Sequence, residues 1–405
     1  MSDNKRVLIA GGGPVGVITG IYLARAGIPV VLFDKEPKPP DDHRAATLQP
    51  STLDLFEELG LTERLIELGF KSRYFQWRDR ETHEVVAEFD YELLSGLSKF
   101  PFVVQLEQHK TVGVAINAAR EYDTFVLHRP VEVTAVRQTA DYVELEAKDA
   151  TGEVSLHRGA YLVGCDGGRS LVRKATGASF EGFTWPERFN IVSTPVDLGK
   201  AHGFRLRNYC SHPERWVSLM QVPGEDGKGL WRCVFPAKAE ESDEEVMSDE
   251  WIQARFKQCM NAGPYEIVHR NMYNVHQRVA GCFRKGRIAL AGDAAHVNNP
   301  IGGMGMNSGF QDGITLARKL IEIIQHGADP DRLLDRYDRQ RRLTAIDYVQ
   351  AQSIANKRLL EEHNPEVRRN RLNELRQIAA DPQRHLDFVK RASLVAMWEV
   401  SEQIQ

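Results

Sequence analysis

Four apolar residues, Val7–Ala10, run unbroken into Gly11-Gly12-Gly13, and behind these glycines the apolar positions take up helical spacing over residues 15–26. A second apolar run follows at 29–34. Short continuous apolar runs bounded by turn residues are the pattern of strands buried on both faces, so the chain is predicted to open with strand, tight turn, helix and strand. Further helical patterns fall at 50–59 and at about 108–121. Between 131 and 163 the pattern changes to three β-rich runs (VEVTAV, YVELEA, VSLHRGAYLVG) separated by turn residues, which predicts an antiparallel meander.

Residues 189–236 are again strand-rich, interrupted by His212-Pro213 and by Pro223-Gly224-Glu225-Asp226-Gly227. Ser242-Asp243-Glu244-Glu245 has the spacing of a capping box and predicts the start of an amphipathic helix near Cys259. One more apolar strand, 287–291, leads into a glycine-rich loop and a helix with Leu316, Leu320 and Ile324 on one stripe. From about 331 onward the pattern is helical. No long linker divides these parts, so the domains are expected to interleave along the chain.

The chain has 405 residues, enough for two or three domains, with 42% hydrophobic and 27% charged residues. A net charge of −4 gives no reason to expect nucleic acid or an anionic membrane as partner, and no apolar stretch is long enough to span a bilayer. Five scattered cysteines, odd in number, suggest a reducing cytoplasm and neither a metal knuckle nor a redox pair. No metal is expected.

Three motifs carry the chemistry. The first is Gly11-x-Gly13-Pro14-Val15-Gly16 between strand and helix, with Asp34-Lys35 ending the second strand. The first glycine permits the turn, the second lets a pyrophosphate approach, and the third allows close helix packing; a carboxylate at Asp34 can accept from a ribose. The second motif, Cys165-Asp166-Gly167-Gly168-Arg169-Ser170, follows an apolar strand and by itself could be only a turn. The third joins Gly292-Asp293 to Pro300 and Gly302-Gly303-Met304-Gly305-Met306-Asn307. Backbone N–H groups bared at a helix start would stabilise the negative edge of a reduced flavin, so Met306 and Asn307 are expected at the flavin ring and Asp293 at the ribityl chain. His296, just after the Gly-Asp motif, suits scaffold better than base.

In this order and separation the motifs resemble the single-component aromatic hydroxylases of the para-hydroxybenzoate hydroxylase family, over about the first 345 residues. The stretches GLWRC at 229–233 and YNVHQRVAGCFRKGRIALAGDAAH from Tyr273 are most similar to the nitrophenol and hydroxypyridine monooxygenases within it. The resemblance implies an α/β (α+β) fold. A Rossmann-like FAD-binding domain would comprise 1–73, 103–180 and 272–345, an interleaved antiparallel-sheet substrate domain 74–102 and 181–271, and C-terminal helices 346–405. It implies that Gly11, Gly13, Gly16 and Asp34 hold the adenosine diphosphate of FAD, that Arg44 and Gln108 contact the cofactor, and that Asp166, Asp293, Pro300, Gly303, Gly305, Met306 and Asn307 line its remainder.

The resemblance further implies a monooxygenase that uses NADH or NADPH and O2 to hydroxylate a small phenol or hydroxypyridine through a flavin hydroperoxide, expelling any leaving group on the attacked carbon. The protein must hold the ring, ionise it and exclude water. Tyr209, His212, Trp231 and Arg232 are the substrate and catalytic candidates of the second β-rich region. His276 is the sharper candidate for the base, since an imidazole can take a phenolic proton near neutrality. The arginine and tyrosine pattern that holds a benzoate in para-hydroxybenzoate hydroxylase is not recognisable in the sequence. The Trp-x-Trp-x-Ile-Pro signature of a flavin halogenase and the close cysteine pair of a disulfide reductase do not occur. A dehydrogenase of the same superfamily and a non-enzymatic flavin-binding protein are the competing readings. The helical end of the chain could serve a homodimer.

Overall fold

Val7–Ala10 is wholly buried and runs parallel to Val30–Phe33 on one side and to Tyr161–Gly164 on the other. A strand covered on both faces has no polar face to present, which explains its unbroken apolar run. The computed structural model describes residues 5–41, 45–261 and 263–405. In it this sheet continues through Phe125–His128 at one side and through Ile288–Leu290 and the short antiparallel Arg284–Lys285 at the other. The three motifs therefore leave the carboxyl ends of the neighbouring strands 7–10, 161–164 and 288–290, the edge where open α/β sheets bind ligands.

Two helices cross behind that edge, Pro14–Arg25 and the 22-residue Gly305–His326. Their approach depends on missing side chains. A Cβ at Gly309 would lie 2.6 Å from Val15 Cγ2, and one at Gly313 would lie 2.3 Å from Thr19 Oγ1. Val15 also fills the space above Gly292, where a Cβ would come within 2.8 Å of its Cγ2. One valine thus wedges the first and third motifs together.

The second large sheet has eight strands, in the spatial order His296–Val297, His269–Ala280, Phe180–Thr194, Leu230–Ala237, Val217–Val222, Arg207–Ser211, Tyr74–Asp79 and Val85–Asp90. Its pairings are antiparallel except between Arg207–Ser211 and Tyr74–Asp79. Alternation along these strands gives two faces. One carries Val192, Cys210, Trp231, Cys233 and Phe235 and is covered by the helix Asp249–Met260. The other carries Phe75, Trp77, Phe89, Tyr209 and Val234, and it shares a core with Ile301 of the glycine-rich loop.

The sequence reading is met in architecture, with three local differences. The run 154–164 is two strands and not one: Val154–Gly159 closes the antiparallel meander, while Tyr161–Gly164 joins the parallel sheet. Between them Ala160 donates its N–H to Arg6 O at 2.7 Å, and a Cβ at Gly159 would press on that same carbonyl at 2.8 Å. Ser242 caps only the short helix Asp243–Val246, and the longer helix has its own cap, Ser248, which accepts from Trp251 N–H. The C-terminal helices pack on the second sheet: Phe388 of Pro382–Ala392 stacks on Phe89 at 4.1 Å between ring centres, and Leu372, Leu375 and Val389 enter the same core.

Gly313→Val should lower the midpoint of denaturant unfolding by the cost of overpacking, about 1–3 kcal/mol. An unchanged midpoint would mean that the two crossing helices have room to spare.

Candidate active site

Gly11 sits at φ +103°, and a Cβ there would lie 2.2 Å from the Cys165 carbonyl oxygen. The first glycine of the motif is thus forced by the strand of the second motif beside it. At Gly16 a Cβ would fall 1.9 Å from Gly11 O, whereas at Gly13 it would meet nothing within 4 Å. The open position faces the start of the helix Pro14–Arg25, which has proline in its first turn and no side-chain cap. Its first-turn N–H groups and the positive end of its dipole are left for an anion.

Asp34 accepts from Gly12 N–H at 2.6 Å and Glu36 N–H at 2.7 Å, and Arg129 Nη2 lies 3.2 Å from it. The same Arg129 atom donates to Gly12 O at 2.8 Å. A carboxylate has about four acceptor positions, so room remains for a ribose hydroxyl. Lys35 is exposed, and Arg44 lies outside the described residues. Gln108 opens the helix Gln108–Ala119 and donates its backbone N–H to Ala45 O at 3.2 Å.

Asp166 is engaged in the fold. It accepts from Ser170 Oγ and from the N–H groups of Leu171 and Val172, which fixes the turn into Leu171–Thr176. Asp293 is exposed in the short turn Gly292–Ala294 at the end of its strand, where it can reach a ligand. Behind that turn is a buried cluster. Asp312 accepts from Gly292 N–H at 3.1 Å, from His296 Nε2 at 2.9 Å and from Arg341 Nε at 2.7 Å, and all three side chains are fully buried. Burial pushes the Asp312 carboxyl up, but the charges of Arg341 and His296 outweigh this and hold it below the usual range. His296 belongs to this scaffold, as its position after the motif suggested.

The loop after Pro300 carries Gly302 at φ +112° and Gly303 at φ +62° before the helix that begins at Gly305 with no side-chain cap. Asn307 is only 1% exposed, and its carboxamide is used up by the fold. Oδ1 accepts from Gln49 N–H and Thr52 Oγ1, while Nδ2 donates to Thr47 O and Gly303 O, all at 2.7–2.9 Å. At Asn307, then, the backbone and not the carboxamide is what the fold leaves for a ligand. Around this loop Gln49 Oε1 and Gln105 Nε2 are buried without a hydrogen-bond partner among the described residues. An open phosphate cradle, a bared helix start and orphaned amide atoms around the glycine loop fit a flavin dinucleotide laid from the first motif to the third.

Beside Gly302 lies a small, partly open cavity of about 30 Å³. Phe75, Trp77, Tyr209 and Phe388 give it aromatic walls, and Arg207, Gln352, Asn356 and Arg391 give it polar ones. Arg207 is 3% exposed, yet among the described residues its hydrogen-bond partners are all uncharged. Its guanidinium donates to the Tyr209 hydroxyl at 3.0 and 2.6 Å, to the Tyr91 hydroxyl at 2.9 Å and to Gly302 O at 2.7 Å. Burial works to lower the Arg207 pKa, but the two phenols beside it leave it raised. Burial drives the Tyr91 hydroxyl up to about 12 against the pull of Arg207. A buried cation paired only with dipoles carries a high desolvation cost, which an anionic ligand in the cavity would offset.

Of the residues singled out from the sequence for substrate or catalysis, Tyr209 lines this cavity. Arg232 faces the same side of the sheet, one strand removed through the register Arg207–Met220–Arg232. Trp231 points to the opposite face, buried among Val192, Cys233 and Phe235. His212 accepts the N–H groups of Glu214 and Arg215 at its Nδ1, and burial, with Arg215 and Arg80 beside it, takes its pKa down to about 4. His276 is exposed, with Thr184 Oγ1 2.9 Å from Nδ1; its pKa is lowered by burial and by Arg278 and Arg169. Neither histidine lines the cavity. The sequence reading missed Arg207 and Tyr91. The pair Arg207-x-Tyr209 was available as a signal, since alternate residues of a strand share a face.

Residues 4–352 match the model of the FAD binding domain family. The chain is 34% identical over 366 residues to para-nitrophenol 4-monooxygenase of Pseudomonas sp. (strain WBC-3), covering 89% of each. It is 31% identical over 405 residues to 6-hydroxy-3-succinoylpyridine 3-monooxygenase of Pseudomonas putida (strain DSM 28022 / S16), covering 96% of this chain and 98% of that one. Its fold superposes on the crystal structure of p-nitrophenol 4-monooxygenase from Pseudomonas putida DLL-E4 with a TM-score of 0.90 at 29% identity, over 96% of this chain and 98% of that one.

Gly13→Glu should abolish the yellow colour of the purified protein, because the new carboxylate would occupy the phosphate position; stoichiometric flavin in this variant would overturn the placement. Asp312→Asn should cost about 3–5 kcal/mol by leaving Arg341 buried without a counter-charge. Since folding depresses the Asp312 pKa, its stabilisation is complete above the ordinary carboxylate pKa of about 3.9 and disappears as pH falls towards the depressed value. Denaturant titrations at several pH values should show that acid-dependent component in the wild type and lose it in the variant.

Proposed function

Because the chain belongs to the FAD binding domain family, we propose that it is an FAD-dependent monooxygenase that uses NAD(P)H and O2 to hydroxylate a phenol or hydroxypyridine ring. The observation that carries this reading is Arg207, a buried cation without a carboxylate partner among the described residues, set between an aromatic-walled cavity and the Gly302 carbonyl. The phosphates of FAD would lie on Gly11–Gly13 and the helix start behind them, its ribose at Asp34, its ribityl chain by Asp293, and its ring on the backbone of 303–307. Bound FAD supplies the oxygen-transfer chemistry. The chain supplies position, charge and dryness.

Arg207 is the residue that makes the ring ionise. A guanidinium held rigid by two phenol hydroxyls and a carbonyl favours the phenolate of a bound ring over the neutral phenol, and the low local dielectric strengthens that preference. A proton lost on binding can leave to solvent before the cavity fills, so no imidazole is required within the pocket. Tyr209 fixes the guanidinium and presents its own ring to the substrate, and Trp77, with its ring centre 5.0 Å from that of Tyr209, extends the stacking wall. A cavity walled by Phe75, Trp77 and Phe388 excludes water where it would divert the reaction to peroxide. Five free thiols suit a reducing cytoplasm.

NADH and NADPH oxidation measured with a panel of phenols and hydroxypyridines should rise sharply with one ring class and yield hydroxylated product. Oxidation indifferent to every ring would move the assignment to a dehydrogenase. Arg207→Gln should lower product formation by about 10- to 100-fold, the worth of a charge-assisted contact, and most at low pH where the free ring is neutral. A flat ratio of variant to wild type across pH would remove Arg207 as the ionising group.

A further inference from the structure

The cavity beside Gly302 has a second cation, and it comes from the far end of the chain. Arg391 lies on the helix Pro382–Ala392, which also gives the cavity Phe388. Unlike Arg207 it is exposed, so it stands at the mouth while Arg207 stands at the inner end. Among the described residues it has no carboxylate partner: its guanidinium lies over the Tyr348 ring at 5.0 Å, and Nη2 donates to Asp347 O at 3.4 Å. No lining residue of the cavity is acidic. A small aromatic pocket with a positive group at each end is built for a ring with electron-rich oxygens at both.

The wall between the two cations is polar and fixed. Gln352 Nε2 donates to Asn356 Oδ1 at 2.8 Å, and Asn356 Nδ2 donates to Ile301 O at 3.4 Å, so a carboxamide chain runs from the helix Ala351–Leu360 to the glycine loop. That helix follows a π-helical turn, Ala345–Gln350. The last residue of the turn is anchored: Gln350 Nε2 donates to Val297 O at 3.0 Å and Arg278 O at 3.3 Å, and its Oε1 accepts from Gln277 Nε2 at 2.5 Å. An extra residue in one turn changes which side chains face the cavity, and such turns recur at functional sites.

The geometry points to Arg391 as the residue that selects substrates bearing a second group with two acceptor oxygens, carboxylate or nitro, on the side of the ring away from the ionised hydroxyl. This deepens the proposed function and rests on it. A guanidinium offers two parallel N–H donors that match such a pair of oxygens, and the Tyr348 ring keeps its plane in place. Because it acts on binding and not on oxygen transfer, its loss should raise KM with little change in kcat.

The test is calorimetric binding of 4-hydroxybenzoate, 4-nitrophenol and 4-methylphenol to the flavin-loaded wild type, Arg391→Ala and Arg391→Lys. The alanine variant should bind one or both of the first two rings at least about 10-fold more weakly, with 4-methylphenol altered by less than about twofold, and lysine should recover part of the loss. Weakening of the carboxylate alone identifies a charge contact, and weakening of both identifies the oxygen pair. Equal weakening of all three rings would reduce Arg391 to a packing residue, and no weakening would leave it in solvent; either result overturns the assignment. Failure of the underlying reading looks different: the rings would bind with the selective pattern yet stimulate no NAD(P)H oxidation.

Discussion

Asp312 has no access to solvent, and the third motif is built around it. Burying one carboxylate costs several kcal/mol unless its acceptor positions are filled, and three different segments fill them. Gly292 contributes a backbone N–H, His296 an imidazole, and Arg341 a guanidinium from the helix Pro330–Thr344. Arg341 continues outward to Ser401 Oγ at 3.1 Å, and Gln340 beside it donates to Ser401 O at 2.7 Å. The turn that carries the exposed Asp293 is therefore pinned through one buried charge to the last helix, Val395–Gln403. Val15 and the bare faces of Gly309 and Gly313 do the rest by contact, setting the phosphate cradle at a fixed distance from that turn.

The cofactor half of the molecule was legible because its signals are local. Each motif is a strand end followed within a few residues by the glycine or carboxylate it presents, and burial on both faces writes the strand as an apolar run. The cavity beside Gly302 is assembled from segments that local pattern cannot join. Arg207 and Tyr209 come from one strand, Tyr91 from a short turn over a hundred residues earlier, and Gln352 and Arg391 from helices that look like ordinary solvated helices in the sequence. Parity decides the remainder: Trp231 and Arg232 are neighbours in sequence but belong to opposite faces of the sheet, and nothing local says which face is the wet one.

Some motif residues proved to be structural supports where ligand contacts were expected. Asn307 spends its carboxamide on three backbone groups and a threonine hydroxyl, and Asp166 spends its carboxylate on the turn that follows it. Each of them nonetheless fixes a stretch of backbone inside its motif. A motif in a sequence thus marks where a ligand is approached without saying whether side chain or main chain makes the approach. The histidines show the converse. An imidazole's usual pKa made His212 and His276 attractive as bases, but burial and neighbouring arginines lower both, and the cavity offers a fixed cation in their place.

Arg129 bridges Asp34 and the Gly12 carbonyl across the mouth of the dinucleotide cradle. Asp34 and Arg129 balance each other's charge, yet among the described residues Arg129 Nε is buried with no hydrogen-bond partner and Asp34 keeps an acceptor position to spare. A polar ligand at this point would take up capacity that the fold leaves over, without first breaking the bonds that tie Asp34, Gly12 and Arg129 together.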